Sequence, residues 1–565
     1  MKKDWRELIS QPKHAIHVSK DVFVPMRDGV RLAVDIYAPD SEGRFPALLA
    51  QSPYGKEIQN LPIPPQLQGG PLWEGGSEAG DTNYIVPRGY VHVIADMRGT
   101  GFSEGESVGF FSKQEAMDGY DLVEWIAEQP WCDGNVGLMG MSYFGGIQPW
   151  VAIEQPPHLR AIFPVAAWTD TYRHFMYHGG ILCSFLYGLW DGRGGDSGYA
   201  MKNVVSAMKK KLPPEEFERR RKKALSNSDI QKFSNFFHLL NYPQKNPLFL
   251  DVLLNPHDGG FYWERSSFYE LEKISIPVYA VGAWLRSWWA NGAFDIYNRT
   301  SSANKKLTID PSGTFSRPWV SYHDEAIRWF DHWLKGIDTG FMNEPPIRLF
   351  VKGINQWRYE NEWPLARIRQ TKFYLRCFGS IAREPETHTK EPDSFVQPPL
   401  YVSYDVHSLK YETAPLSQDM EITGPAVLYL YASIDQDDTN WIVHLSDVDA
   451  FGKAELLSLG YLKASHRAVD ERKSTPLQPY HAHTESEPVV PGQIYEYAIA
   501  LNPISNVFKA GHCIRLEIRT LEHAKEPEGA QPPFAIHICS SKITLHKIYR
   551  DKEHQSHLLL PIIPE

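Results

Sequence analysis

A short apolar run, Val136-Gly137-Leu138-Met139, delivers the chain directly into Gly140-Met141-Ser142-Tyr143-Phe144-Gly145-Gly146. A Gly-x-Ser at the end of a strand, opening toward small residues, is the pattern of a nucleophile elbow. There a tight turn lifts a serine hydroxyl above the carboxyl edge of a parallel sheet. Small residues are needed because the following helix must approach the strand closely. The strict pattern has glycine two places after the serine. Here Phe144 stands there, with Gly145 and Gly146 just beyond, so the surrounding sequence must decide whether this is an elbow or a loop.

The surroundings have α/β grammar. Val22 to Pro25 and Arg31 to Tyr37 flank a turn with Asp28-Gly29 and predict a hairpin. Phe45 to Ala50 and Val91 to Ala95 are short apolar runs suited to buried parallel strands. Leu122, Val123, Ile126 and Ala127 have helical spacing between Asp118 and Glu128. Strand, helix, strand, turn and helix in succession make βαβ units. From about Asp170 to Glu270 the pattern turns helical, with Lys209 to Lys211 and Arg219 to Lys223 interleaved with Glu215, Glu216 and Glu218. Such mixed charge suits a solvated helix face. The α/β pattern resumes at Ile276 to Val281 and Lys306 to Ile309 and closes with a Trp-rich helix, Glu325 to Lys335. Beyond Pro345-Pro346 strand-length runs dominate: Ile347 to Val351, Ala426 to Ala432, Trp441 to Leu445, Ile494 to Leu501 and Ile514 to Ile518. They predict a β-sandwich.

At 565 residues the chain exceeds one core. The expected division is a core in two parts, 1–168 and 271–345, a helical segment at 169–270, and an all-β domain at 346–565. A net charge of −10 argues against a nucleic-acid partner. Met1 to Ser19 is charged and broken by Pro12, and no stretch keeps about 18 apolar residues. A cytoplasmic location without membrane contact is expected. Five scattered cysteines (Cys132, Cys183, Cys377, Cys513 and Cys539) show no ligand spacing. Neither metal nor cofactor is expected. Asp435 to Asp438 predicts a turn rather than a calcium loop, and His481-Ala482-His483 an exposed loop.

A resemblance sharpens this reading. Pro25-Met26-Arg27-Asp28-Gly29, Pro53-Tyr54-Gly55-Lys56, Asp96-Met97-Arg98-Gly99-Thr100-Gly101-Phe102-Ser103 and Gln129-Pro130-Trp131 precede the serine turn. Arg328-Trp329-Phe330-Asp331-His332-Trp333-Leu334-Lys335-Gly336 and Gly511-His512-Cys513-Ile514-Arg515-Leu516 follow it. In this order the motifs resemble the cocaine esterase/NonD family of serine hydrolases, related to X-Pro dipeptidyl peptidases and α-amino acid ester hydrolases. The resemblance implies an α/β-hydrolase core, a helical cap and a C-terminal jelly-roll domain. It also implies Ser142 as nucleophile, with the Tyr54 hydroxyl and the Tyr143 N–H as oxyanion hole.

The chain departs from the family where the rest of the triad belongs. The family's aspartate follows a Gly-Gly-Trp-x motif; here Gly282-Ala283-Trp284-Leu285 leads to Arg286. The family's histidine stands in Gly-Pro-Trp-x-His; here Asp310-Pro311-Ser312-Gly313 leads to Thr314. Arginine accepts no proton at ordinary pH and threonine cannot shuttle one near neutrality. His178, His174 and His323 are the histidines to consider as a displaced base, with Asp310 as a displaced acid; Asp295 is expected on a solvated helix face. Arg286 can alternatively grip a substrate carboxylate, with Trp284, Trp288 and Trp289 as an aromatic wall. Arg286, Trp284, Trp288, Thr314 and His178 are therefore the candidate substrate-side residues.

Two functional classes follow. One is a serine hydrolase acting on an ester, amide or other acyl group of a small-molecule substrate. The other is a repurposed α/β-hydrolase fold performing a lyase, cyclase or decarboxylase step, or binding only. A carbohydrate-binding role for the β domain has no distinguishing residues, and the oligomeric state is open, a homodimer included.

Overall fold

The computed structural model describes residues 4–60, 66–67, 78–184, 202–242, 246–284, 287–311, 316–317, 322–386, 391–522 and 537–564, without the side chains of 66, 67, 287, 288, 316 and 317. Its first layer is a sheet built from β1 (Ile16–Pro25), β2 (Arg31–Pro39), β3 (Phe45–Ser52), β4 (Val91–Asp96), β5 (Cys132–Met141), β6 (Leu159–Val165), β7 (Val278–Ala283), β8 (Lys305–Asp310), β9 (Ile347–Val351) and β10 (Gln356–Glu360). Their spatial order is β1-β2-β4-β3-β5-β6-β7-β8-β9-β10. All contacts from β4 and β3 across to β9 are parallel. The hairpins at the two edges are antiparallel. β4 is buried along its whole length, its apolar residues Val91, Val93, Ile94 and Ala95 together with His92 and Asp96.

Four helices cover this sheet: α1 (Lys113–Ala127), α2 (Tyr143–Ile153), α3 (Ser287–Arg299) and α4 (His323–Lys335). α1 starts at a reciprocal capping box in which Ser112 caps the Glu115 amide and Glu115 reaches back to the Ser112 amide. α2 is buried along its entire length. Its approach depends on Gly145, where an added Cβ would lie 2.3 Å from the Val165 carbonyl oxygen of β6.

The family motifs turn out to be the joints of this layer. Arg98 donates to Asp28 at 2.8 Å and to Asp118 at 2.6 Å, linking the hairpin turn, the loop after β4 and α1. Asp96, at the end of β4, accepts the amides of Lys56 at 2.7 Å and Phe102 at 2.8 Å. It thereby fixes the Tyr54 loop after β3.

Between β6 and β7 the chain leaves the sheet. It forms a one-turn π-helix (Tyr172–Met176), a tight hairpin (Tyr177–His178 with Ile181–Leu182) and helices including Pro214–Leu225 and Pro247–Leu253. The basic stretch behaves as a solvated face: Arg219 and Arg220 pair with Glu216, and Arg221 pairs with Glu218.

The C-terminal part is rich in strands. Met420–Ile434, Tyr495–Phe508, Ala454–Lys463, Asn440–Val448, Cys513–Arg519, Ser408–Thr413, Ser380–Ala382, Arg369–Arg376 and His557–Ile562 pair in that order, and the last returns to the first. The ring is closed, a barrel that removes its own edges. The main hydrophobic core is continuous with it, because Ile442, Leu459 and Ile538 pack in the same cluster as the core sheet.

Two expectations are corrected. Ile347–Val351, assigned from its alternation to the β domain, is β9 and pairs in parallel with β8 in the core sheet. Period-2 alternation identifies a strand but not the sheet it joins. His481 and His483, expected in an exposed loop, are 8% and 7% exposed. The segment that follows β6 covers them: Arg173 donates to the carbonyls of His481 and Ala482, and the His483 carbonyl accepts the Asp258 amide. Asp435 to Asp438 does form the connection between two strands.

Candidate active site

Ser142 stands at the end of β5 and the start of α2, with φ 58° and ψ −119°. A non-glycine residue here carries strain of roughly 1–3 kcal/mol, which the surroundings must hold in place. They do so through two backbone bonds: the Ser142 amide donates to Val165 O at 3.0 Å and the Met141 amide to Glu78 O at 3.0 Å. Phe110, Phe111 and Ala166 are also left-handed, at φ 62°, 57° and 51°. Phe110 and Phe111 pack on the Tyr143 ring, and Ala166 follows Val165. Strained backbone therefore recurs around this serine, as it does at built sites.

Tyr143 opens α2, so its amide is among the first-turn N–H groups that have no intrahelical acceptor, at the positive end of the helix dipole. Tyr54 is only 6% exposed. Its ring meets Tyr143 edge-on at 5.8 Å and Phe144 at 6.4 Å. The three residues singled out for nucleophile and oxyanion hole are thus brought together, from loops after β3 and β5. Among the described residues, none hydrogen-bonds to Ser142 Oγ.

The Tyr143 side chain has a separate task. Its hydroxyl accepts the Phe111 amide at 3.2 Å and donates to Glu115 Oε2 at 2.9 Å. Burial pushes the Glu115 carboxyl up to about 7. Sequence reasoning missed this acid; the Ser112-x-x-Glu115 capping signature marks it as held at a helix start, and the fold turns that start inward.

Next to the elbow lies an aromatic stack. Trp168 and Phe175 lie parallel with centroids 4.6 Å apart, and Phe110 stacks on Phe175 at 4.9 Å while meeting Tyr143 at 5.7 Å. Among the described residues, none accepts from the buried Trp168 indole N–H. This wall was not foreseen, because its members come from three separate segments. The tryptophans that were foreseen have other surroundings. Trp284 is 1% exposed, donates to Phe350 O at 2.7 Å and packs near Phe294 and Trp363. Trp289 is 4% exposed. Arg286, Thr314 and the side chain of Trp288 lie outside the described residues.

The candidate bases fall into three settings. His178 is buried, with Nδ1 2.8 Å from His537 Nε2 and Nε2 3.0 Å from the His174 carbonyl; burial lowers its pKa to about 3. His174 Nε2 is 3.7 Å from Asp295 Oδ2. Asp295, expected on a solvated face, instead accepts the Thr169 hydroxyl at 2.6 Å, and burial raises its pKa. His323 stacks on Tyr84 at 3.5 Å and stands 3.7 Å from Asp81 and 3.6 Å from Asp324. Its Nδ1 is buried and has no hydrogen bond among the described residues. Asp310, at the end of β8, accepts the Tyr322 hydroxyl at 2.6 Å.

A cavity of about 700 Å³ lies elsewhere, between the helical segment and the barrel, lined by residues including Tyr177, Lys211, Arg220 and Lys463. Its charges are mostly matched, Lys211 by Glu264, Arg220 by Glu216 and Lys463 by Asp438. No elbow residue lines it, and size alone does not outweigh the chemistry gathered at Ser142. Among the described residues, no helix is long and apolar enough to cross a membrane.

Comparison with known proteins agrees with this architecture. The chain is 28% identical to the cocaine esterase of a Rhodococcus species, over 97% of this chain and 98% of that one. It is 27% identical to a putative serine esterase of Mycobacterium bovis, over 96% and 95%. A crystal structure of a CocE/NonD family hydrolase from Staphylococcus aureus superposes with a TM-score of 0.75 at 24% identity, covering 97% of this chain and 94% of that one. Residues 28–313 match the X-Pro dipeptidyl-peptidase (S15 family) domain, and residues 339–559 match the X-Pro dipeptidyl-peptidase C-terminal non-catalytic domain. With both domains matched in sequence, and with a serine elbow on a parallel sheet followed by a barrel, the chain belongs to the X-Pro dipeptidyl-peptidase S15 family of hydrolases.

Proposed function

We propose that Ser142 attacks the carbonyl carbon of an ester, amide or related acyl group in a small-molecule substrate. The observation that carries this reading is the strained Ser142 backbone at the N-terminus of α2, with Tyr54 packed beside it. As the Oγ–carbon bond forms, the hydroxyl proton passes to a base and the carbonyl oxygen becomes an oxyanion. The Tyr143 N–H and the Tyr54 hydroxyl donate to that oxygen. Collapse expels the alcohol or amine, which takes the proton, and water then hydrolyses the acyl-enzyme by the same route.

His323 is the base favoured by its surroundings. Its neighbour Asp81 lies on the segment whose Glu78 carbonyl holds the Met141 amide beside the elbow. His178 is engaged at both ring nitrogens, and His174 pairs with Asp295. The aromatic stack of Phe110, Trp168 and Phe175 favours an apolar or ring-bearing acyl group.

The finer architecture belongs to the same reading. The described residues of 169–270 form a helical cap over Ser142, and the barrel is a jelly-roll that helps close the cleft. The enzyme works in the cytoplasm as a monomer or homodimer. A second reading, a lyase, cyclase or decarboxylase step or binding alone, is favoured by Arg286 and Thr314 at the family's acid and base positions.

Labelling with a fluorophosphonate probe separates the two. Stoichiometric labelling of the wild type, lost in Ser142→Ala, is the expected result. An unlabelled wild type that also leaves generic esters intact would transfer the weight to the second reading.

A further inference from the structure

A second site lies outside the elbow, where the hairpin after β6 meets the barrel. Cys183 bridges His537 in an antiparallel backbone pairing, and the Ile538 amide donates to Leu182 O at 2.9 Å. The hairpin turn is pressed onto the barrel: Gly179 has φ 55°, and an added Cβ would lie 1.9 Å from the Tyr461 carbonyl oxygen. This contact brings His178, Cys183 and His537 together with 3%, 0% and 5% exposure. One donor atom from each lies within 4.8 Å of the others.

The hydrogen bonds around the two imidazoles fix which nitrogens carry protons. His178 Nε2 lies 3.0 Å from the His174 carbonyl, which only accepts, so Nε2 is protonated and Nδ1 presents a lone pair. His537 Nδ1 lies 2.6 Å from Glu522 Oε2, so Nδ1 is protonated and, in a neutral ring, Nε2 presents a lone pair. These two nitrogens face each other at 2.8 Å. Opposed lone pairs need an electrophile between them, either a proton or a metal ion. A shared proton joins the two imidazoles alone, whereas the Cys183 sulfur lies within 4.8 Å of a donor nitrogen of each. A metal ion uses all three.

The outer contacts are those of a metal site. A ligating histidine characteristically donates its other N–H to a carboxylate or carbonyl, and here one does each. Glu522 is itself oriented by the Tyr461 hydroxyl at 2.8 Å. Two neutral imidazoles, a thiolate and the Glu522 carboxylate sum to −2, which a divalent cation neutralises in a buried setting. The mixed nitrogen and sulfur donors suit zinc rather than magnesium or calcium. With Zn–N bonds of about 2.0–2.1 Å in a tetrahedron, the nitrogens would open to roughly 3.3 Å.

We propose that His178, Cys183 and His537 hold a zinc ion that clamps the segment following β6 to the C-terminal barrel. Binding converts the Cys183 thiol to a thiolate and releases its proton to solvent. The ion lies between two domains, and its role is to fix their contact.

The test uses the full chain, stripped with a chelator, dialysed and titrated with zinc against a chromophoric competitor. One zinc per chain is expected, with an affinity at least 100-fold weaker in Cys183→Ser and in His537→Gln. Glu522→Gln should weaken it roughly 10–100-fold, as loss of such an outer contact typically does. Cobalt in place of zinc should give a near-ultraviolet thiolate charge-transfer band, absent in Cys183→Ser. The near-isosteric serine variant keeps the test valid if His537→Gln fails to fold. His483→Asn, at the neighbouring His466–His483 contact, should bind as the wild type does. Substoichiometric binding by the wild type would overturn the proposal in favour of a shared proton. Undiminished binding by Cys183→Ser, or loss of binding in His483→Asn, would overturn it as well.

Discussion

Ser142 occupies a backbone region that L-residues avoid, and the residues around it explain why it stays there. Tyr54 tests whether that geometry serves a reaction. Tyr54→Phe keeps the ring contacts with Tyr143 and Phe144 and removes only the hydroxyl. If the hydroxyl binds the oxyanion, kcat for a model ester should fall roughly 10²–10³-fold with KM little changed. A change confined to KM would make Tyr54 a substrate contact instead. His323→Asn removes the favoured base and should lower kcat/KM by about 10²–10⁴, with the ascending limb of the pH–rate profile lost. Activity and profile like those of the wild type would point to His174, the other candidate beside a carboxylate. Ser142, Tyr54 and Tyr143 could be singled out in sequence because each sits in a local motif of a few residues, and the fold places them side by side. The aromatic wall and Glu115 could not, since Phe110 comes from the loop before α1 while Trp168 and Phe175 follow β6, and they meet only in the assembled sheet.

At the level of elements, α1 and α2 are joined by the buried contact between Glu115 and Tyr143. Burial raises the Glu115 carboxyl from its ordinary 4.5 to about 7. Between those values the folded chain retains a proton that the unfolded chain releases, so stability declines as pH rises through this window. The full effect is on the order of 3 kcal/mol. Glu115→Gln cannot ionise and should lack the decline. Chemical denaturation at pH 5 and pH 8 should show the variant gaining on the wild type at the higher pH; parallel behaviour would mean that Glu115 titrates normally. The strands were largely readable, because a run such as Val91 to Ala95 is short and rich in β-branched residues, the features that separate a buried strand from a buried helix. Sheet membership was not readable: β9 alternates like a barrel strand yet completes the parallel sheet beside β8. The same limit hid the donor cluster, whose histidines His178 and His537 are separated by 359 positions and share no spacing motif.

Across the whole molecule, the segment after β6 is one of the parts that tie the sheet to the barrel, beside the backbone bonds between Lys352 and residues 505 and 507. Besides the His178 cluster it carries Arg173, which meets Asp170 at 2.9 Å and Asp258 at 2.7 Å and donates to the carbonyls of His481 and Ala482. One guanidinium thus pairs with two carboxylates, each with a side chain no more than 4% exposed, and donates to two backbone oxygens of the other domain. Arg173→Met retains much of the aliphatic volume but leaves both acids buried without their cation, a loss of about 3–5 kcal/mol for a broken buried pair. A chain with several domains does not unfold in one step, so a single midpoint is a poor readout of this contact. Hydrogen exchange resolves it by segment. Faster exchange is expected in the variant over residues 169–178 and 480–484, with the β4 and β5 amides unchanged. Uniform acceleration would mean that Arg173 supports the global fold, and no acceleration would mean that the two domains are held together elsewhere. Zinc added to the variant should partly restore protection at 176–183, because the clamp at His178 and Cys183 lies on the same segment but shares no ligand with Arg173.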